Sequence, residues 1–395
     1  MGSAPMNTSS YPSLEPTNPH RVLVVDDDPR MLRAITTLLR RSGYEVITAA
    51  DVDQALIAAE RHAFAAAVVD YTLHDETGLA VLWRLRRLQP SCARLLCTGR
   101  QDAATMVEAV NHGEINKVVN KPFRARELLR LLGEAVEASR ERDRAKLLED
   151  AEQNLAERKA LDEVMQGEVS MAIQPIVHTG NLETPVYFEA LVRPSHPVLT
   201  NPVALLSAAE RQQMALEVSS KILRSALQIV RVIPEDTGLF VNIHPEQLSQ
   251  PRTLLEQLST VREYAPRVAL EITERSRLRG ITGWEESLAL ATDMGFQIAV
   301  DDLGAGYSSL SILADLQPQF IKIDMSLVRG IQDEPRKQRL VQLIKTFGEA
   351  TDSVLIAEGV ETAEEAAALR DCQIEYMQGY LFGRPTPPRM LRTIR

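Results

Sequence analysis

IAVDDLGAGYSSL, residues 298–310, is the stretch that decides the fold. An apolar run of strand character stops at two adjacent carboxylates, Asp301 and Asp302. The turn Gly304-Ala305-Gly306 follows, and Ser308 opens a helical stretch. This is the pattern of a βα unit that carries charged groups at the carboxyl end of a buried parallel strand. The layout recurs on both sides. MAIQPIV holds Gln174, VYFEALVR holds Glu189 and Arg193, GLFVNIHP holds Asn242, and VALEITE holds Glu271 and Glu274. Further on, FIKID supplies Lys322 and Asp324, VLIAEGVE supplies Glu358 and Glu361, and MQGYLFGRP holds Gln378. Eight such runs, mostly separated by helical patterns, predict a (β/α)8 TIM-type barrel over residues 167–395, with its polar groups at the carboxyl face.

If that barrel closes, Glu189, Glu271, Asp301, Asp302, Asp324, Glu358 and Glu361 face one pocket. Two like charges about 4 Å apart repel by roughly 4 kcal/mol at an effective dielectric near 20. Several such pairs exceed the roughly 5–15 kcal/mol of net stability of a typical domain. Either some carboxylates hold protons or cations fill the pocket. An oxygen-rich set with one amide and no thiol suits Mg2+ or Mn2+. Asp301 beside Asp302 suits a bridge between two ions, as in-line phosphoryl displacement often requires. The residues therefore point to a metal-dependent phosphodiesterase. Any one of these acids alone reads as a helix cap or a surface charge, and Lys322 alone as a partner of Asp324. Only the ordered series carries the reading.

Residues 20–133 read as a separate, doubly wound α/β domain. Its first apolar run, Val22 to Val25, ends at Asp26, Asp27 and Asp28, and Pro29 suits the first turn of a helix. AAAVVD ends at Asp70, ARLLCTG near Thr98, and NKVVN at Lys121-Pro122-Phe123. Three carboxylates and a lysine at neighbouring strand tips suit one Mg2+, and also covalent chemistry on a carboxylate. Between the domains, residues 134–166 lack proline and read as a solvated helical linker. A partial heptad at Leu148, Ala151 and Leu155 breaks at Arg158 and Asp162, so any pairing with a second copy is brief.

Composition narrows the function classes. A net charge of −10 opposes broad binding to DNA or acidic lipid. No apolar run approaches the roughly 20 residues that span a bilayer. Residues 1–19, polar and rich in Pro and Ser, read as a disordered tail rather than a signal peptide. The three cysteines form no CxxC pair, and the seven histidines form no zinc pattern. A cytoplasmic protein without membrane insertion is expected.

Both domains resemble known families. Residues 20–133, with Asp26, Asp27, Asp70, Gly78, Thr98 and Lys121 at the motif positions, look like the flavodoxin-like receiver domain of two-component response regulators. The resemblance implies Asp26 and Asp27 as the metal-binding pair, Asp70 as phosphoacceptor, Thr98 as switch hydroxyl and Lys121 as phosphate partner. It also implies a cognate sensor histidine kinase. His74 stands where that family usually has proline, and Val118 where it has an aromatic switch residue.

Residues 167–390 resemble EAL domains, named for the motif that is here Glu189-Ala190-Leu191, which linearise cyclic di-GMP to pGpG. That resemblance implies one ion held by Glu189, Asn242, Glu271 and Asp301, and a second by Asp301 and Asp302 with help from Glu361. Lys322 and Glu358 are implied beside the attacking water, with Asp324 orienting Lys322. Gln174, Leu191, Arg193 and Gln378 are implied at the substrate, and Glu274 as the residue that orders the loop after Asp302. Leu303 replaces the usual Phe, and Pro194 the common Trp. The expectation is a response regulator that hydrolyses cyclic di-GMP as a homo-oligomer under control of Asp70. The competing reading is a silent EAL-type receptor for the same nucleotide.

Overall fold

In the computed structural model the chain forms two compact units, Met1–Glu152 and Gln153–Arg395. The structure describes residues 20–74, 76–99, 115–273, 278–304, 313 and 316–393. The tail at 1–19, Glu274 and the turn beyond Gly304 lie outside them.

The first unit is built on strands β1 (Arg21–Val25), β2 (Glu45–Ala49), β3 (Ala66–Asp70), β4 (Ala93–Thr98) and β5 (Lys117–Asn120). They form one parallel sheet in the order β2-β1-β3-β4-β5, the doubly wound arrangement expected. Helices Pro29–Arg41, Val52–Arg61 and Gly78–Leu88 separate the first four strands. β2 is absent from the runs read in the sequence. As an edge strand its burial is interrupted, and EVITA shows no continuous apolar run. The order reverses between β1 and β3, so the tips carrying Asp26 and Asp70 lie side by side. Gly78 is obligatory there: a Cβ would sit 1.9 Å from the Asp70 carbonyl oxygen.

The linker helix is longer than predicted. It runs without a break over Ala125–Gln166, because Leu128, Leu132, Ala135 and Val136 already belong to the core of the first unit. Farther along, Leu147, Leu148 and Leu155 are exposed, while Ala160 and Leu161 are buried in the second unit against Leu199, Leu205 and Val218.

The second unit is a closed barrel of β6 (Met171–His178), β7 (Asn181–Val192), β8 (Gly238–Asn242), β9 (Val268–Thr273), β10 (Gln297–Leu303), β11 (Phe320–Ile323), β12 (Val354–Ala357) and β13 (Tyr376–Gln378). One feature departs from the uniform (β/α)8 pattern: β6 runs antiparallel to both β7 and β13. Only Thr179 and Gly180 separate β6 from β7, too few for the crossover that parallel pairing needs. The other strands pair in parallel.

Alternation along these strands makes two layers inside the barrel. Ile176, Phe240, Ala269, Ala299, Phe320 and Ile356 form the lower, apolar layer, with Tyr187 and Tyr376 packed against it. Edge-to-face contacts join Tyr187 to Phe240 at 5.3 Å and to Phe320 at 5.4 Å. Two residues onward toward the mouth come Glu189, Asn242, Glu271, Asp301, Lys322, Glu358 and Gln378. Gln174 joins them from the reversed strand. Outward-facing Ile298, Ile321 and Leu355 meet the surrounding helices instead. A sealed apolar floor thus carries a polar layer on its mouth side.

Candidate active site

Lys322 is the centre of that layer. It is fully buried, and its Nζ lies 2.6 Å from Glu271 Oε1, 2.6 Å from Glu358 Oε1, 3.4 Å from Glu189 Oε2 and 3.4 Å from Asp301 Oδ1. Asn242 Nδ2 donates to Glu271 Oε2 at 2.9 Å and to Glu189 Oε1 at 3.2 Å. Gln378 Nε2 donates to Glu189 Oε2 at 2.6 Å and to Gln174 Oε1 at 3.3 Å, and Gln174 Nε2 donates to the Gly383 carbonyl at 3.2 Å. The amides therefore hold carboxylates that face one another.

One ammonium cannot neutralise four carboxylates. Burial, followed by the neighbouring Glu189, lifts Glu271 well above the usual carboxylate range. Burial likewise pushes Glu358 up to about 8. Lys322 moves the opposite way from an isolated buried lysine. Burial disfavours its charge, but Asp301, Glu189, Glu271 and Glu358 outweigh burial and raise its pKa well above normal.

Asp302 reaches the site by an irregularity. In an even strand it would face away from Asp301. Its φ of 62° lies in the left-handed region, and the pairing of β10 with β11 shifts register between Val300 and Leu303. The Asp302 N–H donates to Asp301 Oδ1 at 3.0 Å. Strain of this kind persists where the surroundings enforce it. Its result is that Asp301, Asp302 and Glu358 each offer a carboxylate oxygen within 4.8 Å of the others, a donor set that fits a hard divalent ion.

Above the layer opens a cavity of about 340 Å³, lined by Gln174, Glu189, Leu191, Asp302, Asp324, Arg329, Glu358, Glu361, Gln378 and Tyr380 among others. Gly379 closes its wall, where a Cβ would sit 1.9 Å from the Val360 carbonyl oxygen. Three predicted residues have partners that the sequence reading did not give them. Asp324 does not pair with Lys322 but caps the short helix Met325–Val328, accepting the Ser326 N–H at 2.9 Å. β11 ends at Ile323, which turns the Asp324 side chain to that cap. Glu361 forms an ion pair with Arg329 at the rim. Arg193 is absent from the lining named for this cavity, and its Nη1 donates to the Val192 carbonyl at 3.0 Å. A second cavity, of about 350 Å³, shares Glu189, Leu191 and Asn242 with the site and continues past His244. Arg329 and Tyr380 were not picked out from the sequence; neither stands at a strand end with an acidic tip.

The first unit holds a smaller site. Asp26, Asp27 and Asp70 offer oxygens within 4.8 Å of one another, again fitting one divalent ion. Lys121 Nζ bridges Asp70 Oδ1 at 2.7 Å and Asp26 Oδ2 at 3.0 Å. Burial raises the Asp70 carboxyl above its ordinary value, even against the lowering by Lys121. Asp28 stands apart as a cap, accepting the Arg30 N–H at 2.8 Å. Thr98 is buried, its hydroxyl donating to the Gly99 carbonyl at 3.0 Å. His74 Nδ1 lies 2.7 Å from Asp27 Oδ2, and Val118 packs against the core.

Comparison with known proteins matches residues 157–385 to the EAL domain and residues 22–133 to the response regulator receiver domain. The cyclic di-GMP phosphodiesterase RocR of Pseudomonas aeruginosa is 28% identical over 393 residues, covering 94% of this chain and 97% of that protein. A signaling protein of Caulobacter vibrioides, whose function is uncharacterized, is 31% identical over 251 residues, covering 62% of this chain. The chain spans only 30% of the length of that relative and 46% of PdeN from Escherichia coli, a probable cyclic di-GMP phosphodiesterase. The solved structure of the EAL enzyme Bd1971 bound to cAMP and cyclic di-GMP superimposes with a TM-score of 0.56 at 27% identity, covering 68% of this chain and 75% of that one. Among the described residues, no helix is long and apolar enough to cross a membrane.

Proposed function

The chain belongs to the EAL domain family, with a response regulator receiver domain ahead of the EAL domain, and from that premise we propose that it hydrolyses cyclic di-GMP to linear pGpG under control of the receiver. The observation that carries this reading is the buried Lys322 among four carboxylates, directly below an acidic cavity. Glu189, Asn242, Glu271 and Asp301 would hold one Mg2+ or Mn2+, and Asp301 and Asp302, with Glu361, a second. Two such ions supply Lewis-acid polarisation of a phosphodiester oxygen and depress the pKa of a nearby water.

The chain's own residues do the rest. Gln174, Leu191 and Gln378 shape the wall against which the nucleotide lies. Lys322 stays protonated among its carboxylates and is a donor, so it orients water and a phosphoryl oxygen rather than accepting a proton. Glu358, whose carboxyl burial lifts to about 8, is the group suited to take the proton of the attacking water once ion binding has displaced its own. Water oxygen bonds to phosphorus in line, the P–O3′ bond breaks, and the leaving 3′ oxygen takes up a proton from solvent while Glu358 later returns the one it accepted to solvent. Asp324 supports the cavity through its helix cap.

Purified protein with Mg2+ should convert cyclic di-GMP to pGpG, and Glu189→Ala should lose at least about a hundredfold in kcat. Wild-type turnover no better than that of the variant would contradict the enzyme reading. Nucleotide binding with no turnover in Mg2+ or Mn2+ would instead favour a silent receptor.

Asp70 is the proposed phosphoacceptor, with Asp26 and Asp27 holding one Mg2+, Lys121 pairing the phosphoryl group and a sensor histidine kinase as donor. Acetyl phosphate should change the hydrolysis rate of wild-type protein and leave Asp70→Asn unaffected. Identical kinetics with and without the donor would remove this control.

A further inference from the structure

Among the described lining of the cavity there is one cation. Glu189, Asp302, Asp324, Glu358 and Glu361 surround it with acidic side chains, and Arg329 alone opposes them in that lining. Lys322 lies beneath, wholly buried and engaged by its four carboxylates. A cyclic dinucleotide brings two phosphodiester anions. Only one is cut at a time, and the other must lie near the same acidic wall. Resting on the hydrolytic reading above, we propose that Arg329 binds the phosphodiester that is not being cleaved, and so selects a cyclic dinucleotide over substrates with a single phosphodiester.

The backbone around Arg329 is held on every side. Arg329 directly follows the helix Met325–Val328, which starts from the Asp324 cap in the same cavity. Its N–H donates to the Met325 carbonyl at 2.9 Å, and its own carbonyl accepts from Lys337 Nζ at 2.7 Å. Gly330 then turns the chain with φ of 68°, and its N–H donates to Glu365 Oε1 at 3.1 Å. The other oxygen of that carboxylate accepts the N–H groups of Glu361 at 2.8 Å and Thr362 at 3.2 Å. Glu365 is buried, and burial alone would raise its pKa. Those three N–H donors instead hold it below the usual range. One carboxylate thus fixes the segment bearing Arg329 and the segment bearing Glu361.

The guanidinium is well suited to the role. Its Nη2 pairs with Glu361. A guanidinium has five N–H donors in a planar fork, so it can keep that anchor and still offer a phosphate two parallel bonds. A lysine ammonium supplies charge without the fork. Arg384, stacked 4.3 Å above the Tyr380 ring, is a neighbouring cation absent from the lining and serves as a control for general charge.

The test is steady-state kinetics of the full chain in Mn2+ on cyclic di-GMP and on bis(p-nitrophenyl) phosphate, which has one phosphodiester. Arg329→Ala should raise KM for cyclic di-GMP at least about tenfold with kcat within about threefold, the pattern of lost binding rather than lost chemistry. Its loss in kcat/KM should be at least about five times smaller on the single phosphodiester, and Arg329→Lys should recover part of the KM. An unchanged KM for Arg329→Ala would overturn the proposal. So would equal losses on both substrates, or a matching loss in Arg384→Ala. Wild-type protein that cleaves the single phosphodiester but neither binds nor cuts cyclic di-GMP would refute the dinucleotide reading itself and this proposal with it.

Discussion

Lys322→Met is expected to lower cyclic di-GMP turnover at least about a hundredfold and to destabilise the ion-free protein by about 3–5 kcal/mol. Methionine nearly fills the lysine volume, so lost packing is a minor part of the effect. What disappears is the one counter-charge to Glu189, Glu271, Asp301 and Glu358, all within 2.6 to 3.4 Å of Nζ. Breaking a buried ion pair from one side leaves its partners desolvated and uncompensated, which costs more than the pair contributed. Divalent ions should return part of that stability, because they fill the same oxygen set. The melting temperature of the variant should therefore respond to Mn2+ far more than that of the wild type, while turnover stays low at saturating ion. Melting and turnover like those of the wild type would mean that Lys322 is a bystander.

Ion binding should depend steeply on pH. Burial holds the Glu358 carboxyl at about 8, against 4.5 for an ordinary glutamate. Between those values the folded, ion-free protein keeps a proton that the unfolded chain has released. This group therefore adds stability that is full below about pH 4.5 and is lost as pH rises through about 8. An ion at Asp301 and Asp302, whose carboxylate oxygens lie within 4.8 Å of one offered by Glu358, has to expel that proton. Its apparent affinity should fall about tenfold per pH unit below about 8 for each proton displaced. Calorimetric Mn2+ titrations at pH 6, 7 and 8, in buffers of different protonation enthalpy, should detect proton release that shrinks as pH rises. An affinity independent of pH, with no proton release, would show that the carboxylates are already ionised.

Much of this architecture is legible in the sequence, and for a physical reason. A buried parallel strand is a continuous apolar run, and a polar residue at its end has few reasons to be there. IAVDD, FIKID and VLIAEG announce their strands and the polar residues that the candidate site brings together. What escaped detection lacked that signature. β2, half covered at the sheet edge, shows no unbroken apolar run. The reversal of β6 is written in the two-residue gap before Asn181, but that gap speaks of pairing direction, not of strand identity. The geometry of Asp302 depends on a left-handed φ that sequence leaves open for aspartate, because only the register of β10 against β11 enforces it. The resemblance to EAL domains implies Asp324 as the residue that orients Lys322. The strand ends between them, and the side chain turns to a helix cap. Arg329 and Glu365 carry no strand-end signal. They come together through a short helix, a glycine turn and a capping box at Thr362 and Glu365, which join segments about 35 residues apart.

The central claim is that this acidic layer above the apolar floor holds paired divalent ions against a cyclic dinucleotide. The most direct test is a crystal grown with Mn2+ and cyclic di-GMP, with anomalous scattering recorded at the manganese edge. Two peaks are predicted, one among Glu189, Asn242, Glu271 and Asp301 and one beside Asp301 and Asp302, with a phosphodiester of the nucleotide against both. Nucleotide seated in the cavity without manganese at those side chains, or manganese only at other residues, would contradict it.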